Sequence, residues 1–306
     1  MRGFIANTDY DWYSFLSAHP SLTEVNFWQP RGGQAFRAIQ PGEPFFFKLK
    51  KPYFAITGFG YFARHSVLPA WLAWDSFETA NGAPDFTTMR ERIERLRRAS
   101  VPDSVGNYTI GCIMVADPVF FPEQRWVRVP SDFEPNIQRG VTYDLTVGEG
   151  KRVWDECRLQ AGQEPAVTGA VASPRYGEPT LIRPRMGQRI FRIAVTDAYG
   201  RACAVSQEHS LPALEAGHIR PYAEGGEHQV PNGLLFRSDI HRLFDKGYVT
   251  VTPDYRFHVS ERLREDYRNG RSYFPFDNST IRLPSAQTDR PDRDALAWHQ
   301  STVFLA

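Results

Sequence analysis

The 306-residue chain predicts an α+β protein built as two units. Three observations carry this: a strand-rich, aromatic-dense first half, a Gly/Pro-rich stretch without period, and a strand–turn–strand–helix pattern near residues 214–247. The boundaries that follow are a first domain at 1–160, a linker at 161–188 and a second domain at 189–306. A chain of this length can bury two separate cores.

In chain order, Gly3-Phe4-Ile5-Ala6 reads as an opening strand. Pro41-Gly42-Glu43-Pro44 is turn chemistry, followed by the apolar run 45–49 and, after Lys50-Lys51-Pro52, the run 53–63. Two such runs joined by a short polar stretch predict a hairpin. Gly58 and Gly60 inside the second run predict a bulge or a close backbone approach. A helix is predicted over 86–98, with Asp85 as its N-cap and Met89, Ile93 and Leu96 on its apolar face. Glu91 with Arg95 and Glu94 with Arg98 are i,i+4 pairs, and the basic face reads as solvated or as touching a DNA backbone. Strands at 110–116 and 126–129 and a helix at 149–160 complete this half.

In the second half a short strand ends at His218. Ala223-Glu224-Gly225-Gly226-Glu227 supplies a glycine turn, and 234–236 returns as the partner strand. Ser238 or Asp239 then caps a short helix that Gly247 ends, with His241 and Asp245 four apart on one face.

Composition excludes several classes. Lys+Arg 36 against Asp+Glu 35 leaves a net charge of +1, which is no polycation. No apolar run approaches the roughly 18–20 residues of a membrane span, and the N-terminus reaches Asp9 before a secretory apolar region forms. The expectation is a cytoplasmic protein without a membrane partner. Only five of the basic residues are lysines, leaving 31 arginines, a bias that suits phosphate contacts and equally a GC-rich genome. Cys112, Cys157 and Cys203 are odd in number and widely spaced, so neither a disulfide framework nor a structural zinc is expected. Ser206 stands where a C-x-x-C beginning at Cys203 would need its second thiol, and Cys203 reads as a core residue.

The ordered set His218, Asn232, His241, with the phrase Asn232-Gly233-Leu234-Leu235, resembles the HNH family of ββα-metal nucleases over about residues 189–260. The resemblance implies phosphodiester hydrolysis with catalytic residues His218, Asn232 and His241. Histidine titrates near neutrality and suits a general base, the role given to His218. A divalent cation, Mg²⁺ or Mn²⁺, would stabilise charge on the phosphoryl oxygens. His241 is the first candidate ligand, and Asn232 would tie the loop and orient the base. Many family members carry Asp or His immediately before the base histidine, where this chain has Gly217. The second ligand is therefore sought at Asp245 first and Glu215 second. His209 and His228 fall outside the pattern and read as loop residues.

The opening strand, Val25-Asn26-Phe27-Trp28 and the hairpin resemble the PUA-like superfamily, particularly its EVE and YTH branches, over about residues 1–157. That implies a small β-barrel holding a flipped or modified base by aromatic stacking and edge hydrogen bonds. Trp28 matches the place of a cage tryptophan, Trp74 is set as the opposite wall, and Asn26 or Asn7 as the reader of the base edge. Each tryptophan alone also reads as a packing residue, Trp12, Trp71 and Trp126 more so.

Together these resemblances imply a modification-dependent DNA endonuclease of the restriction type. It would read a modified base, cytosine above others, in double-stranded DNA, and cut as a homodimer or transient pair. The alternatives are a nucleic-acid reader whose HNH unit is silent, and an HNH nuclease whose barrel serves RNA or a protein.

Overall fold

The computed structural model describes residues 1–33, 35–98, 101–162 and 186–306. The chain divides into two compact units, Met1–Arg185 and Met186–Ala306. Of the linker expected at 161–188, residues 163–185 lie outside the described residues; 161–162 end one helix and Gln188 begins the next.

The first unit carries strands β1 (Arg2–Thr8), β2 (Glu24–Gln29), β3 (Pro44–Leu49), β4 (Ala55–Pro69), β5 (Thr109–Phe120), β6 (Val127–Arg128) and β7 (Gly140–Asp144). Its helices are α1 (Tyr10–Ser17), α2 (Ala70–Phe77), α3 (Phe86–Arg97) and α4 (Gly148–Gly162). The sheet runs β2-β5-β4-β3-β1-β7, with β6 added to β4. The opening strand and the hairpin predicted from the sequence are β1 and the β3–β4 pair.

Both faces of this sheet are covered, which explains runs of buried residues where one-sided strands would alternate. Phe45 and Phe47 join Phe4, Val25 and Val115 under Trp12 and Leu16 of α1. Phe46, between them in sequence, points the other way and meets Trp154 of α4 edge-on at 5.9 Å. Trp12 is thus a core residue. At Gly58 a Cβ would lie 2.1 Å from the Val119 carbonyl oxygen, and the register of β4 slips between Phe59 and Tyr61 and again between Phe62 and Arg64. The glycine strand therefore contains both a close approach and bulges.

The expected barrel is not closed. Among the described residues no ladder joins β2 to β7, and the sheet is an open path with those two strands at its ends. The bulged, 15-residue β4 bends the sheet. The turn at Glu78–Asn81 then lies against β2, where Asn81 accepts from Trp28 and Asn26.

In α3 the Asp85 side chain accepts from the Thr88 amide as an N-cap should, and Met89 and Ile93 are buried. Leu96, expected on the same face, is exposed. The arginines of this helix serve the fold itself: Arg90 pairs with Glu94 at 3.2 Å, and Arg92 and Arg97 donate to the Gly82 and Pro30 carbonyls.

The second unit contains α5 (Gln188–Ala198), β8 (Leu214–His218), β9 (Gly233–Arg237), α6 (Ser238–Asp245), β10 (Val249–Val251), β11 (Phe257–Val259), α7 (Arg262–Tyr267) and α8 (Arg293–Thr302). β8 and β9 are antiparallel, with His218 opposite Gly233. α6 buries Ile240 and Phe244. Its N-cap is Arg237, not Ser238 or Asp239, because Asp239 is held by Arg237 and by the Tyr273 hydroxyl. Gly247 follows the helix at φ +77°, the left-handed conformation glycine adopts without strain. All three cysteines are buried and free, Cys203 with its sulfur 3.4 Å from the Arg237 amide. No described helix is long and apolar enough to cross a membrane.

Under α6, His299 of α8 stacks on the Phe244 ring at 3.6 Å. It lies 2.9 Å from the Thr250 hydroxyl through Nδ1 and 3.1 Å from the Phe244 carbonyl through Nε2. The neutral ring satisfies both contacts, accepting from the hydroxyl and donating to the carbonyl. Burial holds its pKa down at about 4, against 6.5 for an unburied histidine. The folded state therefore binds fewer protons than the unfolded state below pH 6.5. The stability this ring contributes is present above that pH and lost as pH falls through about 4. Thermal midpoints of the full chain should decline across that window, and less steeply in His299→Gln. An unchanged slope would show that this ring is not the titrating group.

Candidate active site

Helix α5, strand β8, the loop that follows it, α6 and α8 line a cleft of about 600 Å³ within the second unit. His218, Glu215, His241 and Asp245 all line it. Strand alternation and the helical step of four deliver them: Glu215 and Gly217 share one side of β8, and His241 and Asp245 share one side of α6.

His218 lies flat on Phe191 of α5, ring centroids 4.1 Å apart and planes within 8°. Burial, then the neighbouring His228 and His241, lower its pKa to about 4, so it is neutral at pH 7 and carries one lone pair. Asn232 does not line the cleft but braces it. Its Oδ1 accepts from the Arg220 amide at 2.9 Å, while Nδ2 donates to the Arg220 and Glu227 carbonyls, each at 2.9 Å. One side chain thus clamps the residue two after His218 to the far arm of the loop. Asn232→Ala removes three hydrogen bonds and strands a backbone donor. It should cost about 1–3 kcal/mol of stability, read as a lower denaturant midpoint; an unchanged midpoint would refute the bracing role.

His241 sits between two carboxylates. Nδ1 is 2.8 Å from Glu215 Oε2, and Nε2 is 3.6 Å from Asp245 Oδ2. Nδ1 can thus donate to Glu215 while Nε2 faces Asp245, an orienting contact common behind metal-binding imidazoles. Glu215, second in order among the expected ligands, is placed by this contact against the far nitrogen of His241. Among the described residues no group of three His, Cys, Asp or Glu is arranged to hold a metal ion. The donor pair that does converge is His241 Nε2 with Asp245.

Gly217 has a steric cause. A Cβ there would stand 2.5 Å from His241 Cδ2 and 2.6 Å from Nε2. The imidazole fills the place that a side chain immediately before His218 would take.

One residue of the site escaped sequence reasoning. His228, read as a loop residue, has Nδ1 2.9 Å from His218 Nε2 and stacks on Tyr222. His209 is an exposed loop residue as expected. The sequence shows a second histidine ten residues after His218 but carries no signal of which way its side chain folds.

The sequence profile of the HNH endonuclease family matches residues 203–252. Residues 203–252 are an HNH endonuclease domain. The match spans His218, Asn232 and His241, and its boundaries take in β8, β9, α6 and β10. Solved structures similar to the chain include the ASCH protein of Zymomonas mobilis, at 10% identity over 51% of this chain and 94% of that one, TM-score 0.33. Another is the modification-dependent TagI restriction endonuclease, at 12% identity over 85% of this chain, TM-score 0.28. This chain spans 61% of the TagI chain. No curated protein matches the sequence.

Of the base-pocket residues expected in the first unit, Asn7 lies apart from Trp28. Asn7 is level with Lys48 and, through it, Ile56 at the start of β4; Trp28 is level with Cys112 and Ser66 near the other end of that strand. Asn7 is spent on the Ile137 carbonyl and on Lys48. Asn26 and Trp28 do share a neighbourhood. Asn26 Nδ2 donates to Asn81 Oδ1 at 2.8 Å and Trp28 Nε1 donates to the Asn81 carbonyl at 3.0 Å. Trp74 packs toward Phe86, ring centroids 6.2 Å apart.

Proposed function

We propose that the HNH domain hydrolyses DNA phosphodiesters, with His218 as general base, and that the first unit directs it to DNA carrying a modified base. The observation that carries the catalytic half is the cleft in which a neutral His218 faces the His241–Asp245 pair across a loop braced by Asn232.

The chemistry follows from these positions. His218 takes a proton from water as the water oxygen bonds phosphorus. Glu215 and the packing under Gly217 hold the His241 ring in one orientation. An imidazole nitrogen and a carboxylate oxygen 3.6 Å apart suit a hard divalent cation that fills its remaining positions with water and phosphate. His241 and Asp245 would hold Mg²⁺ or Mn²⁺, which when bound supplies charge stabilisation on the phosphoryl and leaving oxygens.

The reading half is assigned to the Trp28 side of the first unit. Asn26 Oδ1 is fully buried and has no hydrogen-bond partner, beside the Trp28 indole. A buried acceptor left without a donor is costly, and an exocyclic amino group of a base would satisfy it; modified cytosine carries one. Asn7 is excluded from this role because its amide is already engaged at both ends. One nuclease site per chain cuts one strand, so double-strand cleavage takes two copies, as a homodimer or a pair meeting on DNA.

The test is digestion of plasmids bearing methylated, hydroxymethylated or unmodified cytosine, with Mg²⁺, Mn²⁺ or chelator. Cutting of the modified plasmids alone, abolished by chelator, is the expected result. Equal cutting of all three would remove the modification claim, and no cutting with either metal would remove the nuclease claim.

A further inference from the structure

The contact between His218 and His228 is a chemical constraint on the base. Their nitrogens Nε2 and Nδ1 are 2.9 Å apart, and each ring stacks on an aromatic neighbour. Phe191 lies parallel to His218, and Tyr222 lies parallel to His228 with centroids 5.1 Å apart and planes within 6°. Burial lowers the pKa of both imidazoles, so both are neutral at pH 7. Two neutral rings can share such a contact only if one brings an N–H and the other a lone pair.

Only one of the two arrangements leaves His218 able to work. If His228 donated, the single lone pair of neutral His218 would be occupied and its Nδ1 would carry the hydrogen. If His218 donates, its Nδ1 lone pair is free for water. We propose that His228 Nδ1 is the acceptor, which makes His228 a positioning residue that holds His218 in its Nε2–H tautomer with Nδ1 presented to the attacking water. This rests on the reading of His218 as the general base.

The step balances without a further reactant. An O–H bond of water breaks and its proton goes to His218 Nδ1, while the water oxygen bonds phosphorus. The bond from phosphorus to the 3′ oxygen breaks, and that oxygen takes a proton from solvent. His218 then carries hydrogen on both nitrogens, and its Nε2–H still donates to His228, so the contact survives the charged state. The logic is that of any oriented imidazole base, with a third group on the far nitrogen.

The test combines a spectroscopic and a kinetic reading on the full-length chain. With ¹⁵N-labelled histidine, long-range ¹H–¹⁵N correlation of the wild type at neutral pH should show His218 protonated at Nε2 and bare at Nδ1. His228→Ala should release that preference and lower the cleavage rate roughly 10- to 100-fold. His228→Gln, whose amide oxygen can accept, should recover part of both. A wild-type His218 protonated at Nδ1 overturns the proposal, and this reading stands even if the alanine variant does not fold. So does a His228→Ala enzyme that cuts at the wild-type rate while His218→Ala is dead. If instead His218→Ala still cuts, the base assignment itself has failed.

Discussion

His218→Ala is expected to slow cleavage by roughly 10²- to 10⁴-fold, the usual worth of a positioned general base, while binding of the full-length protein to DNA is kept. Among the described residues the His218 ring makes no hydrogen bond to the backbone; its contact is with the His228 side chain. The turn 219–232 is held by Asn232, and its strand end by pairing with Gly233. Truncation should therefore remove chemistry and leave the scaffold. Single-turnover cleavage of a saturating modified substrate, alongside a gel-shift titration, separates the two. A variant that keeps the wild-type rate would exclude His218 as the base. A wild type that binds but never cuts would instead favour the alternative reading of the chain as a silent HNH reader.

Gly217→Asp should inactivate the site, although it installs the residue type many HNH relatives carry there. The new Cβ would fall 2.5 Å from the His241 ring, a separation that side-chain carbons do not tolerate. The ring cannot simply step aside, since Glu215 holds Nδ1 at 2.8 Å and Asp245 stands beyond Nε2. Overpacking of this kind costs about 1–3 kcal/mol, and displacement of His241 should reduce cleavage by more than 10-fold on the scale of a misplaced active-site group. Gly217→Ala should show the same direction, because the clash begins at Cβ. Melting temperature and cleavage rate, measured together, decide it. A Gly217→Asp enzyme as stable as and faster than the wild type would mean that the cleft lacks a ligand at that position, and the steric account of Gly217 would be wrong.

Much of the site was legible because the ββα unit is local. His218, Asn232 and His241 lie within a single strand–loop–strand–helix, and their mutual placement follows from strand pairing and the helical step. Asp245 was legible for the same reason, being one helical turn from His241. The place of Glu215 was half visible: the strand puts it on the side facing α6, but whether it reaches a metal or the far nitrogen of His241 depends on ring orientation. His228 was not legible, since nothing in a glycine-flanked loop says which way a side chain folds back. In the first unit, the strand order and the exposed Leu96 show where pattern alone ran out. The arginines of α3 make the same point: their charge suggested solvent or a phosphate backbone, yet Arg92 and Arg97 are spent on the Gly82 and Pro30 carbonyls outside the helix.

The amino-acid sequence by itself determined the α+β class, the presence of an HNH unit and the order of its three signature side chains, because each rests on contacts within a few tens of residues. Tertiary structure alone decided that the sheet stays open between β2 and β7 and that Asn7 and Trp28 lie apart. It likewise decided that Gly217 makes room for a ring and that a second histidine meets His218. Those outcomes depend on how side chains from separate segments compete for the same volume. Periodicity, which records only which face of an element is apolar, does not contain that information.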